Sequence, residues 1–130
     1  NILMHQSSIE DAIQGTRLSE NLTILTSGPI PPNPSELLAS SAMKNFIDSV
    51  SDFFDVVLID TPPLSAVTDA QILSSYVGGA VIVVRAYETK KESLAKTKKM
   101  LEQVNTNILG VVLHGVDSSE SPSYYYYGVE

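Results

Sequence analysis

The chain has 130 residues, room for one domain with a real core but not for two. Fifteen acidic against eight basic residues give a formal charge of −7, which disfavours nucleic acid or an anionic membrane surface as a partner held by charge. There is no cysteine, so disulfide staples and thiolate metal sites are excluded, and no apolar run approaches the roughly 20 residues of a membrane helix.

The chain opens at Asn1 as if inside a domain, which leads us to expect a piece of a longer chain. Ser7-Ser8-Ile9-Glu10 has capping-box spacing and predicts a short helix through about Gln14, ended by Gly15. Asn21 to Thr26 alternates in strand formers and predicts a strand. The loop Ser27-Gly28-Pro29-Ile30-Pro31-Pro32-Asn33-Pro34 suits neither helix nor sheet and reads as a connector, a rigid lid or a docking edge. Asn33 then caps a helix with Pro34 at its first position, Glu36 at the capping-box site, and Leu37, Leu38, Met43, Phe46, Ile47 and Val50 on one face.

Phe54 to Pro63 is the most informative stretch. Val56, Val57, Leu58 and Ile59 form an apolar run followed by Asp60, Thr61, Pro62 and Pro63, the pattern of a strand buried on both faces in a parallel sheet. The prolines end it, since neither can donate to a ladder. Asp60 then stands at the carboxyl end of a central strand, where open α/β sheets bind ligands. A carboxylate there suits the hydration shell of a magnesium ion; the alternative is an aspartate that merely turns the chain.

Downstream, Thr68-Asp69 caps a short helix carrying Ile72, Leu73 and Tyr76, and Gly78-Gly79 break it. Ala80 to Val84 is a second fully apolar strand. Glu88 to Val104 is the longest helix, with Thr89 and Glu92 as its capping box and Leu94, Thr97, Leu101 and Val104 on one face. Its lysines at 90, 91, 96, 98 and 99 read as a solvated face or a contact with an acidic neighbour. Asn107 to Leu113 is a last core strand. Arg85 ends one strand and His114 follows another at the same sheet edge, each either a contact to a base or ribose or a plain loop residue. His5 and His114 lack metal-ligand spacing, which argues against zinc. Strands alternating with helices predict an α/β fold, a mostly parallel sheet flanked by helices on both faces.

The end of the chain, from Asp117, is Ser-rich and then holds Tyr124, Tyr125, Tyr126 and Tyr127 in a row, a composition expected to be disordered. Four adjacent aromatics there read as a binding surface or as hydroxyls offered for modification. Each phosphate adds about −1.5 to −2 charges, so four would add on the order of −6 to −8 and loosen an oligomer of acidic chains.

Leu25 to Leu37 with its Gly-Pro-x-Pro-Pro-Asn-Pro-x-Glu-Leu core, then Ile59-Asp60-Thr61-Pro62-Pro63, Thr68-Asp69-Ala70 and the tyrosine cluster resemble the bacterial tyrosine kinases of capsule and exopolysaccharide assembly. The resemblance implies a P-loop NTPase-like kinase domain, incomplete at its N-terminus, over residues 1–116 with a tyrosine-rich tail over 117–130. It implies Mg-ATP as cofactor, Asp60 as the Walker B aspartate that holds magnesium and steers the tyrosine proton, and Thr61, Pro62, Arg85 and His114 around the nucleotide. Tyr124 to Tyr127 match the autophosphorylated cluster. A ring of copies, a membrane-embedded chain-length-control activator, a tyrosine phosphatase and a cytoplasmic place at the inner face of the cell membrane come with it.

The chain departs from that pattern in containing no Gly-Lys pair, hence no Walker A loop, and without those amides and that lysine nothing cradles the phosphates. The chain alone is therefore expected to bind ATP weakly or not at all. Two other readings stay open: a non-catalytic α/β interaction module with a tyrosine docking tail, and a partition-type ATPase.

Overall fold

A computed structural model describes residues 2–4 and 6–117. The chain divides into two compact units, Asn1–Pro62 and Pro63–Glu130. No helix among the described residues is long and apolar enough to cross a membrane.

The first unit begins with a 3-10 turn at Ile2–Met4 and helix α1 at Ile9–Ala12. The cap is Ser8, one residue later than the expected Ser7: its Oγ accepts from the Asp11 amide at 3.1 Å and donates to the Asp11 carboxylate at 2.8 Å. Asp11 thus takes the place expected of Glu10. The helix stops after one turn, and Gln14–Gly15 (β1) pairs antiparallel with Thr23–Ile24 (β2). Of the strand predicted over 21–26, only those two residues are paired. The predicted helix after Asn33 is two helices, α2 at Pro34–Leu38 and α3 at Ser41–Phe53. Ser40 divides them because its hydroxyl donates to the Leu37 carbonyl at 2.7 Å and accepts from the Met43 amide at 3.3 Å, closing one helix and opening the next. Asn33 bonds its amide to the Glu36 carboxylate instead of capping the backbone. Met43, Ile47 and Val50, at helical spacing on α3, are buried.

The strand expected over Phe54 to Asp60 is the main correction. Residues 56–60 pair with no described strand, and Val56 and Leu58 are 74% and 90% exposed. A buried parallel strand needs a ladder on each side to satisfy its amides and carbonyls, and no described strand takes either position.

In the second unit, helix α4 spans Asp69–Leu73, strand β3 Ala80–Arg85, helix α5 Lys91–Glu102 and strand β4 Ile108–His114. β3 and β4 are parallel, with Ile82 opposite Val111 and Arg85 opposite His114, and α5 is the crossover a parallel pair requires. Gln71 Nε2 donates to the Met100 carbonyl at 3.2 Å, and the Thr106 hydroxyl to Ser74 Oγ at 2.8 Å, tying α4 to α5. Leu73, Ile82 and Leu101 form the buried apolar set. β3 was expected to be buried on both faces, yet Ile82 is buried while Val81 and Val83 are exposed. The expected Thr89–Glu92 capping box is replaced by a start at Lys91, since the Thr89 hydroxyl accepts from the Arg85 amide at 2.9 Å. α5 closes with the Asn105 amide on the Glu102 carbonyl (3.0 Å) and the Thr106 amide on the Leu101 carbonyl (3.1 Å), a Schellman arrangement with Asn105 at φ 56°.

Candidate functional site

Asp60 is exposed at the end of the 56–60 segment, with Thr61 half-buried behind it and Pro62 exposed. Phe54, which closes α3, already has extended backbone, and Pro62-Pro63 bar any ladder beyond the aspartate. Among the described residues, no cluster of three carboxylates and imidazoles could hold a metal by itself. Magnesium does not ask for one: it keeps several waters and is bound through one or two carboxylates plus substrate phosphates. A single solvent-facing carboxylate such as Asp60 fits that role. The phosphate-gripping half of such a site has no candidate among these 130 residues, since no glycine precedes a lysine anywhere in the sequence.

Arg85 and His114 do come together. They are register partners at the carboxyl ends of β3 and β4, and the His114 carbonyl accepts from the Ala86 amide at 2.8 Å. The Arg85 guanidinium lies 3.3 Å from the Glu88 carboxylate, both side chains mostly exposed, which leaves other guanidinium N–H groups for an anion. His114 belongs to β4 as its last residue instead of following it. Asp60, Thr61 and Pro62 lie in the first unit, Arg85 and His114 in the second. Tyr124 to Tyr127 lie outside the described residues.

Three positioning residues escaped the sequence reading. Thr89 fixes the Arg85 amide, as above. Tyr87, in the loop between them, has φ 63°, and Gly115, directly after His114, has φ 75°. A glycine after an apolar strand hints at such a backbone; nothing in a Tyr-Glu-Thr triplet does. In the first unit, a shallow groove of about 450 Å³ between α1 and α3, lined by Leu3, Ile9 and Phe46 among others, contains none of the predicted site residues.

No protein-family model matches the chain. Among curated proteins, the tyrosine-protein kinase YwqD of Bacillus subtilis (strain 168) is 42% identical over 129 residues, 99% of this chain and 54% of that protein. This sequence is a relative of the bacterial tyrosine-protein kinases. The tyrosine-protein kinase CpsD of Streptococcus agalactiae is 34% identical over 119 residues, 92% of this chain and 52% of its own length. The chain thus spans about half the length of these two kinases. Among solved structures, the VpsO kinase domain is 32% identical with a TM-score of 0.84, covering 90% of this chain and 57% of that one. The kinase domain of the Escherichia coli tyrosine kinase ETK is also 32% identical, with a TM-score of 0.83 over 98% of this chain and 49% of that one. The chain is therefore an α/β relative of these kinase domains, and its parallel β3–β4 pair with the α5 crossover is part of that fold.

Proposed function

We propose that the chain forms part of a protein-tyrosine kinase that transfers the γ-phosphoryl group of Mg-ATP to tyrosines of its own kind, and that the acceptors are Tyr124 to Tyr127. The observation that carries this is the 42% identity to a tyrosine-protein kinase across almost every residue, in a chain holding four tyrosines in a row. Phosphoryl transfer asks a protein mainly for positioning and charge neutralisation. Bound Mg-ATP supplies the phosphoryl group and the divalent charge. Asp60 would hold the metal through its waters and steer the proton leaving the tyrosine hydroxyl, whose ordinary pKa near 10 makes help useful at neutral pH. Thr61 and Pro62 would stiffen the chain beside that carboxylate, and Arg85 and His114, at the ends of β3 and β4, would supply a guanidinium and an imidazole to the nucleotide.

On this reading the whole protein works as a ring of copies at the inner face of the cell membrane. A membrane-embedded chain-length-control protein switches it on, a tyrosine phosphatase resets it, and it regulates capsule or exopolysaccharide synthesis and export. The 130 residues alone, lacking a Gly-Lys phosphate loop, bind ATP weakly and are inactive.

The test is incubation of the full-length protein with Mg-ATP, followed by mass spectrometry for phosphotyrosine. Label on Tyr124 to Tyr127 is expected, and its loss in Asp60→Asn with an unchanged circular dichroism spectrum. An intact parent that leaves the cluster unlabelled removes the acceptor assignment, and an active Asp60→Asn variant removes the metal role.

A further inference from the structure

Charge is segregated along this chain. Residues 90–99 hold five lysines and one glutamate, a formal +4, while the remaining residues hold three basic and fourteen acidic groups, a formal −11. All five lysines are exposed, on or just before α5. Among the described residues Lys98 pairs with Glu102 at 3.5 Å, and Lys90, Lys91, Lys96 and Lys99 make no ion pair. Leu94, Thr97 and Leu101 are half-buried or buried on one side of the helix; Lys91, Lys96 and Lys99 fan across the outer side and Lys98 flanks it, beside Leu94 and Leu101.

The fold brings the chain's exit to the start of that helix. Beyond β4, Gly115 lies against Arg85: a Cβ on Gly115 would sit 3.6 Å from Arg85 Cγ. Arg85 is five residues before Lys90, and the Ala86 amide bonds the His114 carbonyl at 2.8 Å. From Asp117 to Tyr124 is seven residues, which span at most roughly 24 Å. The 12 residues of α5 extend roughly 18 Å. The seven-residue tether is thus longer than the helix, so chain length does not keep the tyrosines from the lysines of α5 on the same chain.

We propose that the phosphorylated segment Tyr124–Tyr127 docks in cis on the lysine face of α5. This rests on the proposal that these tyrosines are the acceptors. Unmodified they are neutral and have no claim on the lysines; four phosphates bring on the order of −6 to −8 charges and a set of strong acceptor oxygens. The most acidic part of the modified chain then covers the one basic stretch of an otherwise acidic molecule. The docked segment is withdrawn from further transfer and shielded from hydrolysis, so phosphorylation latches the product state.

The experiment ligates a synthetic peptide with phosphotyrosine at 124–127 onto the otherwise full-length protein, so docking is measured without the protein's own activity. The rate at which an added soluble tyrosine phosphatase removes the phosphates is the readout. The triple variant K91Q/K98Q/K99Q is expected to raise that rate on the order of tenfold, K44Q on exposed α3 to leave it unchanged, and about 0.5 M salt to abolish the difference. Equal rates in wild type and triple variant overturn the proposal. So does protection that fades on dilution, which would place the segment on a second copy. If the ligated segment is protected although the intact protein never labels it with Mg-ATP, the docking stands and the acceptor assignment falls.

Discussion

Gly115 shows how one residue sets the edge where Arg85 and His114 meet. Its φ of 75° lies where a side chain crowds the following carbonyl, and an added Cβ would find only ordinary contact with Arg85 Cγ at 3.6 Å. The cost of Gly115→Ala is therefore conformational, about 1–2 kcal/mol, and urea titration should show it as a lower midpoint with unchanged slope. A midpoint at or above wild type would mean that the turn relaxes to negative φ. Asn105, at φ 56°, meets the same demand with a residue that tolerates it. Neither was read as a cap from the sequence, although Gly and Asn after regular elements are the residue types that form left-handed caps. Tyr87 is not such a type: its side chain has no preference for φ 63°, and the Arg85–Thr89 bond that closes the loop around it joins residues two positions to either side.

Elements were legible to the extent that they are local. The apolar spacing of Met43, Ile47 and Val50 marked α3, and the runs through Ile82 and Val111 marked β3 and β4, because each pattern is written within a few residues. Ser40 was missed as a helix divider because a serine among helix formers reads as neutral until its hydroxyl is seen bonding both ways. That double role makes it testable. Ser40→Ala removes the cap of the 13-residue α3 and should cost about 1 kcal/mol, while Ser8→Ala, on an exposed four-residue helix, should cost less than half as much. Ile47→Ala, 4% exposed on the buried face, should cost about 2–4 kcal/mol. Thermal melts of the three variants give the ranking; Ser8→Ala equal to Ser40→Ala would mean that the division at Ser40 does not organise the helix.

At the scale of the molecule, pairing is what the sequence could not disclose. The run Val56 to Ile59 has the composition of a central strand, but a central strand is defined by its neighbours, and neighbours are non-local. Here the first unit leaves Phe53, Val56 and Leu58 at 82%, 74% and 90% exposure, and the second leaves Val81, Val83 and Leu109 open on β3 and β4. Contiguous apolar surface with unpaired backbone beside it drives chains together, while the formal charge of −7 opposes close approach only at low salt. The 130-residue chain should therefore self-associate as salt rises and enhance the fluorescence of a dye that binds apolar surface. Charging the first unit's strip with Val56→Lys and Leu58→Lys removes apolar area from water contact without burying the new ammonium groups. The double variant should sediment as a smaller species and bind less dye, with its helical circular dichroism unchanged. If sedimentation and dye binding match the wild type, these two side chains do not drive the association, and the open strands of the second unit become the place to look.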